Sequence, residues 1–161
     1  MTGMTLIISA MVLAVQVLLK RDIVIIFFLA FSANGKTFGR CELAKELARN
    51  GVAHGDIDDY VCMAEYESGF DTHIRSAANS DGSHDHGIFQ INDYWNCDPE
   101  NGHTTKNGCN HPCSDFRNDD ISDDISCVQQ LKREHHGFGF SYAWRDHCTQ
   151  IDSDYLRGCS Y

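Results

Sequence analysis

The sequence predicts an α+β fold, and three observations carry that prediction. Apolar residues recur at helical spacing in segments 40–50, 56–67 and 121–132. A turn signal, Asn79-Ser80-Asp81-Gly82, precedes the short β-prone run Ile88-Phe89-Gln90-Ile91. All eight cysteines, Cys41, Cys62, Cys97, Cys109, Cys113, Cys127, Cys148 and Cys159, lie after residue 35, and an even count in an exported chain implies disulfides stiffening a small core.

Residues 1–35 read as a leader. Lys20 and Arg21 precede the apolar run Ile23 to Phe31, and Ala33-Asn34-Gly35 offers the small residues a signal peptidase inspects, which places the mature start at Lys36. A second apolar stretch, Leu6 to Leu19, lies ahead of Lys20. Each stretch is short of the ~18 to 20 apolar residues of a membrane span, and a charged triplet separates them. The expectation is an overlong signal sequence and a secreted product; the alternative is a retained anchor.

Arg40 to Asn50 places Leu43, Ala44, Leu47 and Ala48 on one helix face, with Gly51 as a stop. Asp56 is expected to cap a second helix running to about Glu67, with Tyr60, Val61, Met63 and Ala64 facing inward and Cys62 beside them. A small antiparallel sheet is expected between Arg75 and Tyr94. Asp93 to Asp120 is rich in Asn, Asp, Gly and Ser, so it reads as a long loop pinned by Cys97, Cys109 and Cys113. A helix resumes with Ile121, Ile125, Val128 and Leu131 or Lys132 on one face, and a last helical stretch covers Ser141 to His147. No repeat or proline-rich linker interrupts 36–161, so one domain is expected there.

Charge narrows the partners. The chain carries a formal −10, and the leader's Lys20, Arg21 and Asp22 contribute +1, so residues 36–161 carry −11. Nucleic acid and anionic membranes are poor partners for such a surface. All nine histidines fall in 36–161 and gain charge as pH drops toward about 6.5 and below. A zinc site at Cys109 and Cys113 is disfavoured, because no second Cys or His pair stands at matching spacing. On a strand, His84 and His86 would point to the side opposite Asp85, so His84-Asp85-His86 is not read as a chelate.

Two acids stand in dissimilar contexts. Glu67 closes a helical pattern in Cys62-Met63-Ala64-Glu65-Tyr66-Glu67-Ser68, and Asp85 follows the turn in Asp81-Gly82-Ser83-His84-Asp85-His86-Gly87-Ile88-Phe89-Gln90-Ile91-Asn92. Taken singly, each reads as an ordinary surface acid. Together they are carboxyls that a fold can hold in different environments, one protonated and one ionised, as glycoside hydrolysis requires.

These segments, with Lys36-Thr37-Phe38-Gly39-Arg40-Cys41-Glu42-Leu43-Ala44 and Ala143-Trp144-Arg145, resemble the c-type lysozymes from Lys36 to Tyr161. The resemblance implies a helix-rich lobe and a small β lobe across a cleft. Of the roughly 105 pairings eight cysteines allow, it selects Cys41 with Cys159, Cys62 with Cys148, Cys97 with Cys113, and Cys109 with Cys127. It implies Glu67 as general acid and Asp85 as nucleophile or electrostatic stabiliser, with Asn79, Asp81, Ser83 and Asn92 as polar surroundings of Asp85. Trp95 matches a sugar-stacking platform, Gln90 and Asn92 match cleft-lining positions, and Glu134 matches an acid at the far end of a bound oligosaccharide. Three positions depart from the family's usual aromatics: Ser141 stands for the Trp that walls the acid, Asn96 for a second platform Trp, and His86 for a Tyr. A hydroxyl cannot replace an indole as a desolvating surface, so either a neighbouring aromatic, Phe140 or Tyr142, substitutes or Glu67 is less perturbed.

The resemblance also implies bacterial peptidoglycan as partner, a monomer, and no required cofactor. Asp115-Phe116-Arg117-Asn118-Asp119-Asp120-Ile121-Ser122-Asp123-Asp124 resembles the calcium loop of some members, with Asn118, Asp123 and Asp124 ligating through side chains and Asp115 and Asp120 through carbonyls. The expected activity is a muramidase cleaving β-1,4 bonds between N-acetylmuramic acid and N-acetylglucosamine. The acidic chain favours a digestive or acid-compartment role over an immune one. The alternative is a non-catalytic lysozyme-like or α-lactalbumin-like binder of sugar or calcium.

Overall fold

Gly35–Tyr161 are described by a computed structural model; residues 1–34, and with them nearly all of the expected leader, lie outside the described residues. Among the described residues no helix is long and apolar enough to cross a membrane.

Helix α1, Arg40–Arg49, buries Leu43, Ala44 and Leu47, the face its apolar spacing predicts. Glu42 accepts the Gly39 N–H at its start, which suits the positive end of a helix. The helix stops because Gly51 takes φ +75°, a conformation that a side chain disfavours.

A 3₁₀ turn, His54–Asp56, feeds directly into α2, Ile57–Ser68. Ile57, Tyr60, Val61, Cys62, Met63 and Ala64 are all buried, and a helix apolar on most sides belongs in the interior. Asp56 stands at the N-cap position but makes no capping bond. Its backbone already lies in the right-handed helical region, whereas a capping residue is extended. Its carboxylate pairs instead with Lys132 at 2.5 Å; of the two expected candidates for the apolar face, Leu131 is buried and Lys132 is not.

The sheet is a two-stranded antiparallel hairpin. β1, Asp85–His86, pairs with β2, Ile91–Asn92, placing Asp85 opposite Asn92 and His86 opposite Ile91. The expected strand over Ile88 to Ile91 therefore survives only at Ile91. Ile88 and Phe89 form the turn between the strands and are buried, so their apolar character serves the core and not strand pairing. Gly87 makes the reversal possible: its φ is +72°, and a Cβ there would stand 1.7 Å from the Phe116 carbonyl oxygen.

The long loop that follows contains a 3₁₀ turn, Asp115–Arg117, and ends at α3, Ser122–Glu134, which buries Ile125, Val128 and Leu131. The last expected helical stretch contains a π-helical turn, Trp144–Cys148. One core gathers Phe38, α1, α2, Ile88, Phe89, Phe116, α3, Phe138 and Leu156. The disulfides pair Cys41 with Cys159, Cys62 with Cys148, Cys97 with Cys113, and Cys109 with Cys127. The first two span 118 and 86 residues and tie the C-terminal segment to α1 and α2; long loops constrain the unfolded chain most.

Candidate active site

Gly69, with φ +63°, ends α2 and leaves Glu67 in its last turn. The next residue ties that turn to the hairpin, because Ser68 Oγ lies 3.1 Å from Ala64 O and 2.8 Å from Ile88 O. The helix end bearing Glu67 is thereby held against the hairpin bearing Asp85. A cleft of about 890 Å³ opens between them, and Glu67, Asp85, Asn79, Asp81, Gln90, Asn92, Trp95 and Glu134 all line it.

Glu67 is partly buried, and Ser141 Oγ lies 2.6 Å from its Oε1. Ser141 accepts the Trp144 N–H at 3.0 Å, which leaves its own proton for the carboxylate. Burial pushes the Glu67 carboxyl above the ordinary glutamate range; the Ser141 hydroxyl pulls it back, the Asp85 charge pushes it further up, and the Ala143 N–H lowers it. Phe140, Tyr142, Val128 and Leu131 give the same cleft its apolar lining. Ser141 thus contributes a hydrogen bond where the resemblance led us to expect a missing wall.

Asp85 is held by two amides: Asn92 Nδ2 donates to Oδ1 at 2.7 Å and Asn79 Nδ2 to Oδ2 at 3.0 Å. Ser83 Oγ accepts from both amides, at 3.0 and 3.1 Å, and donates to Asp81 Oδ1 at 2.7 Å. Asp81 therefore acts one step away, by orienting Ser83, and makes no hydrogen bond to Asp85. Those bonds from Ser83 hold the Asp81 carboxyl below its usual range.

Along the cleft, Trp95 is half exposed with the Lys106 ammonium 3.9 Å from its ring centroid. The Trp95 and Tyr94 N–H groups both donate to Asn92 Oδ1. Glu134 accepts from Gln130, whose amide also reaches Gly108 O. Gln90 turns its amide onto Gly87 O. Lys106 and His135 also line the cleft and were missed. Lys106 sits in an irregular loop with no periodic signal, whereas Tyr142, named as a candidate wall for the acid, is 77 % exposed and stacked on the Arg145 guanidinium.

His84 and His86 do not converge on an ion. His84 Nδ1 meets Ser76 O, while buried His86 donates from Nε2 to Asp93 Oδ2 at 3.2 Å. His86 approaches Cys97 and Cys113, but those sulfurs are joined in a disulfide. Burial pushes the His86 imidazole below its ordinary value; Asp93 opposes this and the Arg117 and Arg75 charges add to it.

The expected calcium loop fits calcium only in part. Asn118 donates to Asp115 O at 2.6 Å and accepts the Asp120 N–H at 2.7 Å, so two of the five expected oxygens already hold the loop together. Asp124 is almost fully buried, and neither of its oxygens has a partner.

Helices packed on a short hairpin, four disulfides and carboxyls on both walls of one cleft define a lysozyme-like α+β protein. A profile of the C-type lysozyme/alpha-lactalbumin family matches residues 36–159, and the chain belongs to that family. It is 47 % identical over 117 residues to Lysozyme c-1 of Anopheles gambiae, covering 73 % of this chain and 80 % of that one. It is 44 % identical over 133 residues to human Sperm acrosome-associated protein 5, covering 80 % and 82 %. The crystal structure of apo-type canine milk lysozyme superposes with a TM-score of 0.73 at 42 % identity, covering 78 % of this chain and all of that one.

Proposed function

We propose that this protein is a secreted muramidase that cleaves the β-1,4 bond between N-acetylmuramic acid and N-acetylglucosamine in bacterial peptidoglycan. The observation that carries the reading is the pair Glu67 and Asp85, in one cleft and in unlike surroundings: one carboxyl partly buried beside a single hydroxyl, the other braced by two amides. Two such carboxyls serve the retaining mechanism, for which lysozymes are themselves the type case. Glu67, whose neutral form burial favours, gives its proton to the leaving glycosidic oxygen. Asp85 takes the developing positive charge at the sugar carbon, as nucleophile or electrostatic stabiliser, and Glu67 then acts as base toward the incoming water.

Trp95 supplies a stacking face for a sugar ring, and Asn92, Gln90, Asp81 and Glu134 supply polar contacts along the groove. No cofactor takes part in this scheme. The protein acts as a monomer after removal of the leader, in an extracellular or gut lumen. Clearance of bacterial cell-wall suspensions from about pH 4 to 8 tests the proposal. Wild type is expected to clear the suspension and Glu67→Gln to lose ~10²- to 10⁴-fold in rate. No clearance by wild type anywhere in that range would overturn catalysis in favour of a sugar-binding role.

A further inference from the structure

We propose that removal of the leader builds an ion pair into the mature fold: the α-ammonium created at Lys36 pairs with the carboxylate of Asp119, 83 residues away. The pair rests on the reading of residues 1–35 as a leader and is independent of the hydrolase reading. In the uncut chain the backbone nitrogen of Lys36 already donates to Asp119 Oδ1 at 3.0 Å. Hydrolysis of the Gly35–Lys36 bond by an export peptidase adds the hydroxyl of water to the Gly35 carbonyl carbon and its hydrogen to the Lys36 nitrogen. That amine then takes up a proton from solvent. A neutral amide with a single N–H thus becomes a cation with three donors in front of the same oxygen, and charge-assisted hydrogen bonds are about twice as strong as neutral ones.

Lys36 is fixed before the pair forms. Its carbonyl accepts the Thr72 N–H at 3.0 Å, Thr37 bridges to Asp71, and the Phe38 N–H donates to Phe70 O at 3.1 Å. Its side chain is engaged elsewhere, with Nζ 2.8 Å from Glu42 Oε1 and 3.9 Å from the Phe38 ring centroid. The α-nitrogen is therefore the donor Lys36 turns toward Asp119, and little further ordering opposes the contact. The acceptor is held as well: Thr72, 1 % exposed, donates its hydroxyl to the same Asp119 oxygen at 3.1 Å. Among the described residues, His73 is the one side chain in ion-pair contact with Asp119, with Nδ1 3.5 Å from Oδ1.

The uncut chain is cramped at the same point. A Cβ on residue 35 would stand 2.4 Å from His73 Nδ1 and 2.5 Å from His73 Cβ, so glycine suits the position before cleavage. Glycine is also small enough for the position a signal peptidase inspects. Hydrolysis lets residue 35 leave His73, and the new terminus then clasps the turn that follows α2 to the loop that precedes α3.

Export of the full-length precursor from a secreting host, with mass spectrometry and thermal unfolding of the product, tests the proposal. The product is expected to begin at Lys36. Acetylation near neutral pH blocks the terminus selectively, because an α-amine titrates about two pH units below a lysine side chain. It is expected to lower Tm by on the order of 1–4 °C. Asp119→Asn, which keeps side-chain volume and polarity, is expected to lose about the same amount without acetylation and nothing further with it. Comparing the two differences cancels any separate cost of either change. A product that begins elsewhere would overturn the proposal at its first step. An acetylation effect that is absent in wild type, or that persists in Asp119→Asn, would overturn the ion pair. Were Asp119→Asn to fold poorly, Asp119→Ser carries the same comparison.

Discussion

Ser141 donates its hydroxyl to the Glu67 carboxyl at 2.6 Å, across 74 residues of sequence, and is itself fixed by the Trp144 N–H. At the position where the resemblance led us to expect an indole, this chain places a donor that favours the ionised form of the acid, while burial favours the neutral form. The two influences act on the same carboxyl.

Removing that donor is expected to move the activity profile. In Ser141→Ala the Glu67 carboxyl loses the contact that lowers it, so it stays protonated to higher pH and the alkaline limb of kcat/KM shifts upward. A pH–rate profile checks this, and an unmoved alkaline limb would rule out Ser141 as a determinant of the acid.

Glu67 also affects stability, and the sign is opposite to that of an ordinary salt-bridged acid. Its folded carboxyl titrates above the unfolded value, so the favourable contribution is complete below the unfolded value and is lost as pH rises through the folded one. Glu67→Gln is therefore expected to raise Tm near pH 7 and to change it little near about pH 4. Calorimetry at the two pH values is the measurement, and an equal shift at both would contradict it.

His86 acts in the other direction. Its imidazole is pushed down in the folded state, so the unfolded chain takes up the proton first. Stability is complete above about 6.5 and falls as pH drops through that value toward the folded one. Asp93 holds both the His86 ring and the His84 N–H beside Asp85, so His86 is linked to the hairpin that carries Asp85. A His86→Tyr variant is expected to flatten the loss of stability and activity on the acid side; unchanged pH profiles would remove His86 from the account.

Gly87→Ala is expected to destabilise the protein by more than about 1 kcal/mol, because the residue must take φ +72° with a Cβ 1.7 Å from Phe116 O. Denaturant unfolding at constant m-value measures the loss. Activity should fall with it, since the same turn carries Ile88, to which Ser68 ties the end of α2.

Helical faces were legible because periodicity is a local signal: Leu43 and Leu47, or Ile125, Val128 and Leu131, declare a buried side wherever the helix is placed. Ile88 and Phe89 were misread as strand because an apolar run reports burial, and a buried turn has the same composition. Asp56 was misread as a cap because its preference for that role is local, while its partner Lys132 lies on another helix.

By itself the sequence determined the helical segments, the cysteines available for pairing, and the two acids with the polar and aromatic residues that accompany them. Only the tertiary structure decided that Ser141 holds Glu67, that Ser83 aligns both amides on Asp85, that Lys106 covers Trp95, and that Asp124 is buried without a partner. The physical reason is range: propensity and spacing act over a few residues, whereas hydrogen bonding and desolvation at the cleft depend on which distant side chains the packed core brings within about 3 Å of one another.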